Sequence, residues 1–200
     1  MLKIGITGGI GSGKTTVCKV FEILKIPVFY ADDAAKSVMN KDPHLIDAIK
    51  REFGSELYSE EEILDRKALA KLVFNNSQAL EKLNSLVHPA AIQAFEDWSK
   101  EQDSPYVIKE AAILFESGSY KDCDFTILVY TPENLRIKRV MKRDNTTEAE
   151  VRARIDKQMP EDKKRELSDF VIENDGSTAL LPQVLSLHDY FLSRSKLNKS

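Results

Sequence analysis

The sequence predicts an α/β protein: a doubly wound parallel sheet of about five strands with a helical domain inserted into it. Two observations predict it. Five short runs rich in apolar and β-branched residues are separated by helical patterns rather than by tight turns. Between the second and third runs lies a helical stretch, 34–100, far longer than a crossover needs. A glycine cluster directly after the first run then indicates what such a sheet is built to hold.

The first strand is expected at Leu2 to Thr7 and ends in Gly8-Gly9-Ile10-Gly11-Ser12-Gly13. From Lys14 to about Lys25, Val17, Val20, Phe21 and Leu24 fall at i, i+3, i+4 and i+7, one face of an amphipathic helix. Pro27 opens a second strand, Val28-Phe29-Tyr30, which closes at Ala31-Asp32-Asp33. The helical stretch that follows is expected to break at Asp42-Pro43, Gly54, Asn75-Asn76-Ser77 and His88-Pro89. Strands return at Tyr106-Val107-Ile108 and at Phe125-Thr126-Ile127-Leu128-Val129-Tyr130, the latter nearly all apolar, as a buried parallel strand should be. Thr131-Pro132 reads as an N-cap with proline at the first helical position, before a strongly basic helix. Thr147 with Glu150 forms a capping-box signal for the next helix. Phe170-Val171-Ile172 is expected as the last strand, and Leu180 to about Leu192 as a C-terminal helix.

Composition narrows the class. A chain of 200 residues, 42% hydrophobic and 30% charged, supports one α/β domain with an inserted subdomain. The net charge of −3 supplies no global basic field, so nucleic acid is not the expected partner. Cys18 and Cys123 have no metal-like spacing and suit a reducing compartment. The chain opens directly on its first strand, and no apolar run reaches membrane-spanning length. A cytoplasmic enzyme, a monomer or small homo-oligomer without membrane attachment, is the expectation.

Gly8-Gly9-Ile10-Gly11-Ser12-Gly13-Lys14-Thr15 matches G-x-x-x-x-G-K-[ST] in full, between a predicted strand and a predicted helix. Backbone N–H groups can lie against phosphate oxygens only where glycine permits the close, partly left-handed wrap. The helix that begins near Lys14 turns its positive end to the same oxygens. Lys14 can reach the β- and γ-phosphates, and the Thr15 hydroxyl can ligate Mg²⁺. Gly8, Gly9, Gly11, Ser12, Gly13, Lys14, Thr15 and Thr16 are therefore the candidate ATP-binding residues.

The motif leaves the reaction open. A GTPase switch needs D-x-x-G, and no Asp here has Gly three residues on; Asn40-Lys41-Asp42-Pro43 has the wrong spacing for guanine recognition. A nucleic-acid ATPase would call for sustained positive charge. A small-molecule kinase needs an orienting carboxylate and mobile cations. Asp32, at the end of the second strand, can orient an acceptor hydroxyl and take its proton, or cap the following helix in competition with Asp33. Arg136, Arg139 and Arg143 fall at i, i+3 and i+7 of the basic helix. They can stabilise a phosphoryl-transfer transition state from a lid, or form a solvated face.

Ile6 to Val17 (I-T-G-G-I-G-S-G-K-T-T-V) closely resembles the P-loop of the dephospho-CoA kinase family. The resemblance runs on through Ile26-Pro27-Val28 with Ala31-Asp32, Asp65-Arg66 with Leu69 and Val73-Phe74, and Val87-His88-Pro89. It continues through Leu114-Phe115-Glu116, Arg139 to Arg143-Asp144, Gln158-Met159 and Ile172-Glu173-Asn174-Asp175-Gly176. It implies ATP-dependent phosphorylation of the ribose 3′-hydroxyl of dephospho-CoA, the final step of coenzyme A synthesis. A nucleoside or nucleoside-monophosphate kinase is the alternative. The implied layout is a nucleotide-binding core (1–33, 101–131, 160–200), a helical acceptor domain (34–100) and a lid (132–159).

By the same resemblance Asp32 is the base, Lys14 serves ATP, Thr15 serves Mg²⁺, and Arg139 and Arg143 act from the lid. Asn174 lies near the adenine or in a plain turn. Thr7, Asp32, Asp65, Arg66, His88 and Glu110 are assigned to the acceptor side, Asp65 equally being an N-cap and His88-Pro89 a helix break. Glu110 is a second carboxylate near Mg²⁺ or a solvated strand-end charge. Two positions depart from the family pattern. Tyr30 replaces the first Asp of its D-A-D, and Ala112 its usual Pro. Phe95 and Trp98 read as packing residues.

Overall fold

Runs such as Phe-Thr-Ile-Leu-Val-Tyr are stable only where both faces are covered, and the computed structural model places them so. It describes residues 1–74 and 76–197. The strands are β1 (Leu2–Thr7), β2 (Val28–Tyr30), β3 (Tyr106–Glu110), β4 (Phe125–Tyr130) and β5 (Phe170–Glu173). All pair in parallel, in the order β2-β3-β1-β4-β5. The helices are α1 (Lys14–Ile23), α2 (Ala31–Lys41), α3 (Pro43–Phe53), α4 (Arg66–Phe74), α5 (Ser77–Lys100), α6 (Glu133–Asp144), α7 (Glu148–Ile155), α8 (Glu161–Leu167) and α9 (Leu180–Leu197).

The chain divides into two compact units, Met1–Tyr30 with Gln102–Ser200, and Ala31–Glu101. In the first, Leu2, Ile4 and Ile6 of β1 share a buried cluster with Val17 and Phe21 of α1 and Val184 and Phe191 of α9. Gly5, between them, faces the other way. A Cβ there would come within 2.7 Å of the Leu114 side chain, so the close approach requires glycine. Ile6 pairs with Glu110, Tyr30 with Glu110, and Tyr130 with Glu173, so the strands finish together along one edge. That carboxyl edge is where the loops of such a sheet collect ligands.

The second unit packs Leu45, Ile46, Ile49, Leu57, Leu69, Val73 and Val87 into a core of its own. Asp42 caps α3, its side chain accepting from the His44 and Leu45 N–H groups at 2.9 and 3.3 Å with Pro43 in the first turn. Gly54, at φ 110°, ends that helix.

Several local expectations are corrected. The segment between α3 and α4 is not helical: a single 3₁₀ turn, Ser55–Leu57, leads to an antiparallel bridge between Tyr58 and Leu64. Asp32 and Asp33 lie in the first turn of α2, which starts at Ala31 with no intervening turn. His88-Pro89 is no break, because α5 runs through Pro89 for 24 residues. A proline costs a helix one hydrogen bond and a steric clash. Val87 and Phe95, buried on either side of it, hold the helix together. Of the predicted break at 75–77, Asn76 is the N-cap of α5, its side chain accepting from the Ala79 N–H at 3.0 Å, and Asn75 lies outside the described residues. Thr131 is not the cap of α6; Pro132 is, because the Thr131 hydroxyl is engaged elsewhere. The capping box of Thr147 and Glu150 forms as expected, and α9 extends beyond Leu192 to Leu197.

Candidate active site

The glycine cluster becomes a tight loop between β1 and α1. The Ser12 N–H donates to Gly9 O at 3.0 Å, and the Thr16 and Val17 N–H groups donate to Gly13 O at 2.9 and 3.2 Å, starting the helix. Gly13 caps α1 in the left-handed region, φ 92° and ψ 22°. A Cβ on it would also collide with the Asn174 amide. That amide donates to Ser12 O at 2.7 Å, and the Thr131 hydroxyl stands 2.9 Å from the same oxygen and 3.0 Å from Asn174 O. Arg139 adds Nη1 to Thr131 Oγ1 at 3.3 Å and Nη2 to Asn174 O at 3.2 Å. The loops after β1, β4 and β5 are thus tied into one frame around Ser12 O. Gly13→Ala should strain the backbone and break this frame. We expect a melting temperature lower by about 3–10 °C, from roughly 1–3 kcal/mol of left-handed strain and lost hydrogen bonding, read by thermal denaturation.

Inside the loop Lys14 Nζ donates to Gly8 O at 2.9 Å and lies 3.7 Å from Glu110 Oε1, both side chains about one-tenth exposed. Thr15 and Thr16 are exposed on the first turn of α1. α1 begins at Lys14 directly after the loop, so its positive end lies at the loop beside that ammonium, an arrangement suited to a polyphosphate. The thiol of Cys18, one turn further on, is buried and pushed up by desolvation, so it offers no nucleophile here.

The outer side of the loop carries Arg136, read from the sequence as a lid cation or a solvated charge, together with Gln158, Glu161 and Lys164, to which the sequence reading gave no role. The Ile10 N–H donates to Gln158 Oε1 at 2.9 Å. Arg136, only 3% exposed, donates from Nε to Thr131 O at 3.1 Å and presses its guanidinium on Gly9, whose missing Cβ leaves the room. Glu161, opening α8, sets its Oε1 against Gly9. Burial pushes the Glu161 carboxyl up, while Arg136, Lys164, the Gly9 amide and Lys14 pull it the other way. Lys164 is fully buried, 3.2 Å from Ala112 O and 3.0 Å from Glu116, which also accepts from the Met159 N–H at 2.8 Å. A cleft of about 500 Å³ opens beside this strap, lined by Tyr130, Arg136, Ile155, Gln158 and Glu161 among others.

A strand–loop–helix of this form holds nucleotides in many enzymes; comparison with known proteins narrows it. A family model described as dephospho-CoA kinase matches residues 2–179. A dephospho-CoA kinase of Salinibacter ruber is 41% identical over 180 residues, covering 88% of this chain and 90% of that protein. One from Bacteroides fragilis is 37% identical, over 93% and 91%. The chain belongs to the dephospho-CoA kinase family. Solved structures agree: a Thermus thermophilus protein superposes with a TM-score of 0.81 at 34% identity, covering 96% of this chain and 97% of that one. A dephospho-CoA kinase from Campylobacter jejuni does so with 0.69 at 28% identity, over 98% of both chains.

Within this family member, the structure brings Lys14, Arg139, Asn174 and Glu110 to the carboxyl edge with the loop. Asn174 is a frame residue of the loop rather than a plain turn. Thr7 is buried, its hydroxyl 3.4 Å from Ala112 O. Arg143 is not brought there: its side chain is 62% exposed and forms a two-pronged pair with Asp144, which Arg154 also holds. In the second unit, Asp32 is exposed, whereas Asp65 is a helix cap, accepting from the Lys67 and Ala68 N–H groups at 3.0 Å each. Arg66 Nη2 donates to Lys36 O at 3.2 Å. His88 is half-buried within α5, its pKa lowered by desolvation. Phe95 and Trp98 stack at 6.2 Å as packing residues.

Proposed function

We propose that the family reaction runs here as a direct in-line transfer, with the triphosphate on the loop of residues 8–15 and Asp32 as the base. The chain is an ATP-dependent kinase of the dephospho-CoA kinase family. It phosphorylates dephospho-CoA on the ribose 3′-hydroxyl, completing coenzyme A. The observation that carries the mechanism is the loop itself: a full phosphate-binding motif with Lys14 already inside it and two neighbouring loops bracing Ser12 O.

Lys14 and the loop amides bind and orient the β- and γ-phosphates, and Arg139 reaches the transferring group from α6. Asp32 receives the proton of the attacking hydroxyl. Its support is position, two residues past the carboxyl end of β2. Mg²⁺ fits the oxygen donors present. It binds through one or two protein oxygens together with substrate phosphates, and the Thr15 hydroxyl and the Glu110 carboxylate would hold it. Bound there, it neutralises charge that builds on the phosphates. Among the described residues no group of three acidic, His or Cys side chains offers a dedicated cage, which agrees with a substrate-borne ion.

Residues 34–100 serve as the acceptor domain and 132–159 as a lid that excludes water, which would otherwise accept the phosphoryl group. Support for the acceptor role is the separate core of the second unit. A cytoplasmic setting is supported by two free cysteines and, among the described residues, by no helix long and apolar enough to cross a membrane.

The test is ADP release with ATP·Mg²⁺ and dephospho-CoA, AMP, CMP, dTMP or adenosine as acceptor. Turnover confined to dephospho-CoA is expected. Turnover confined to a nucleotide or nucleoside would overturn the acceptor assignment and leave the phosphate loop standing.

A further inference from the structure

We infer that Glu161 is a built-in counter-anion of the phosphate loop, a positioning residue that weakens nucleotide binding and so sets how readily nucleotide leaves. This rests on the loop being the ATP site. Glu161 Oε1 lies against Gly9 of the loop, 2.7 Å from where a Cβ on that residue would stand, with the Arg136 guanidinium crowding the same point. The Gly9 amide, Arg136, Lys164 and Lys14 all favour its ionised form. A carboxylate against a loop amide, with a buried guanidinium beside it, occupies the kind of place a phosphate seeks. Its second oxygen, Oε2, is buried with no hydrogen-bond partner.

Such an atom is an unusual feature to build next to a phosphate site. A carboxylate that serves only the fold would be expected to have both buried oxygens satisfied. Burial pushes the Glu161 carboxyl up in spite of three cations, so it sits there at a desolvation cost.

The residue is held in place from both sides. Gln158, three residues before it, accepts from the Ile10 N–H at 2.9 Å. Lys164, three residues after it, is pinned between Ala112 O and Glu116. The strap between them cannot easily carry Glu161 away while both anchors hold. A triphosphate entering the loop therefore meets a fixed negative charge at Gly9. That charge opposes ATP and ADP alike, and it screens Arg136 and Lys14 when the loop is empty. Binding is weaker than the cations alone would give, and product release is correspondingly faster.

The sign of the effect distinguishes this role from a structural one. Glu161→Gln keeps the shape and an acceptor oxygen against Gly9 but removes the charge. By calorimetric titration its Kd for ATP and for ADP should fall about fivefold, the effect of one unit charge at several ångströms in a partly screened site. Glu161→Ala must shift Kd in the same direction, which keeps the inference testable should one variant fold poorly. Glu166→Gln, the same charge change at an exposed position of α8, should leave Kd within about twofold.

Unchanged or weaker nucleotide binding in a folded Glu161 variant overturns the inference. Lys14→Ala measured alongside separates the two readings. If it loses ATP while Glu161→Gln fails to tighten, only the counter-anion role falls. If Lys14→Ala binds ATP like the parent, the loop assignment falls and the counter-anion role with it.

Discussion

Lys14→Ala is expected to lower kcat/KM by about 10³-fold, a loss of about 4 kcal/mol of transition-state stabilisation, while the protein stays folded. The ammonium is the loop's own cation: it bonds Gly8 O at 2.9 Å and stands 3.7 Å from Glu110. In phosphoryl transfer charge spreads over the oxygens of the moving group, and a cation fixed beforehand in a water-poor loop stabilises it without reorganisation. Removing it also strips Glu110 of a facing cation, so the site becomes more negative where phosphate must enter. Both binding and turnover should suffer. Lys14→Arg should not restore them, because a planar guanidinium on a longer stem cannot take the place of a compact ammonium curled back onto Gly8. ADP-release kinetics with saturating dephospho-CoA and ATP titration by calorimetry read the two effects separately. Activity within tenfold of the parent would remove Lys14 from phosphate binding.

The strands and the phosphate loop were legible because each has a local cause. β-Branched runs such as Phe125 to Tyr130 satisfy a buried parallel strand, and Gly13 is needed for a left-handed cap wherever it sits. Strand neighbours were not legible, since β3, the third strand in the chain, lies between β1 and β2 and no local pattern encodes that.

The strap over the loop was missed for a similar reason. α8 reads Glu-Asp-Lys-Lys-Arg-Glu-Leu, with one apolar residue and no period to detect. Lys164 is nevertheless fully buried, because Glu116 and Ala112 O replace its water. The arginine row divides. Arg136 and Arg143 share an angular face of α6, yet two turns separate them by about 10 Å along the axis. The first is therefore buried against Gly9, and the second is left out with Asp144. Thr131 resembled a cap by its neighbour Pro132, but its hydroxyl is committed to Ser12 O and Asn174 O, contacts set by residues more than forty positions away. Pro89 shows the opposite case, where tertiary packing overrides a local breaker.

Asp32→Asn is the sharper test of chemistry, because it should separate turnover from nucleotide binding. We expect kcat to fall by about 10²–10⁴-fold with ATP affinity within about twofold, since an amide can still orient a hydroxyl but cannot receive its proton. Position 30 offers no substitute. The family carries an Asp there, whereas the Tyr30 hydroxyl of this chain donates to Glu22 at 3.1 Å. Burial, then Cys18 and Glu22, push that phenol well above its usual range, so it holds its proton and cannot act as a base. The neighbouring carboxylate is the control. Asp33 is occupied with Lys36 at 2.6 Å on the exposed face of α2, and Asp33→Asn should change kcat by less than about threefold. If the two variants lost activity equally, the effect would belong to the charge of the first turn of α2 rather than to a base, and proton acceptance would have to be sought at another carboxylate. A large loss confined to Asp32, with ATP still bound, would place the acceptor hydroxyl at that oxygen and make Asp32 the residue on which this chain's transfer depends.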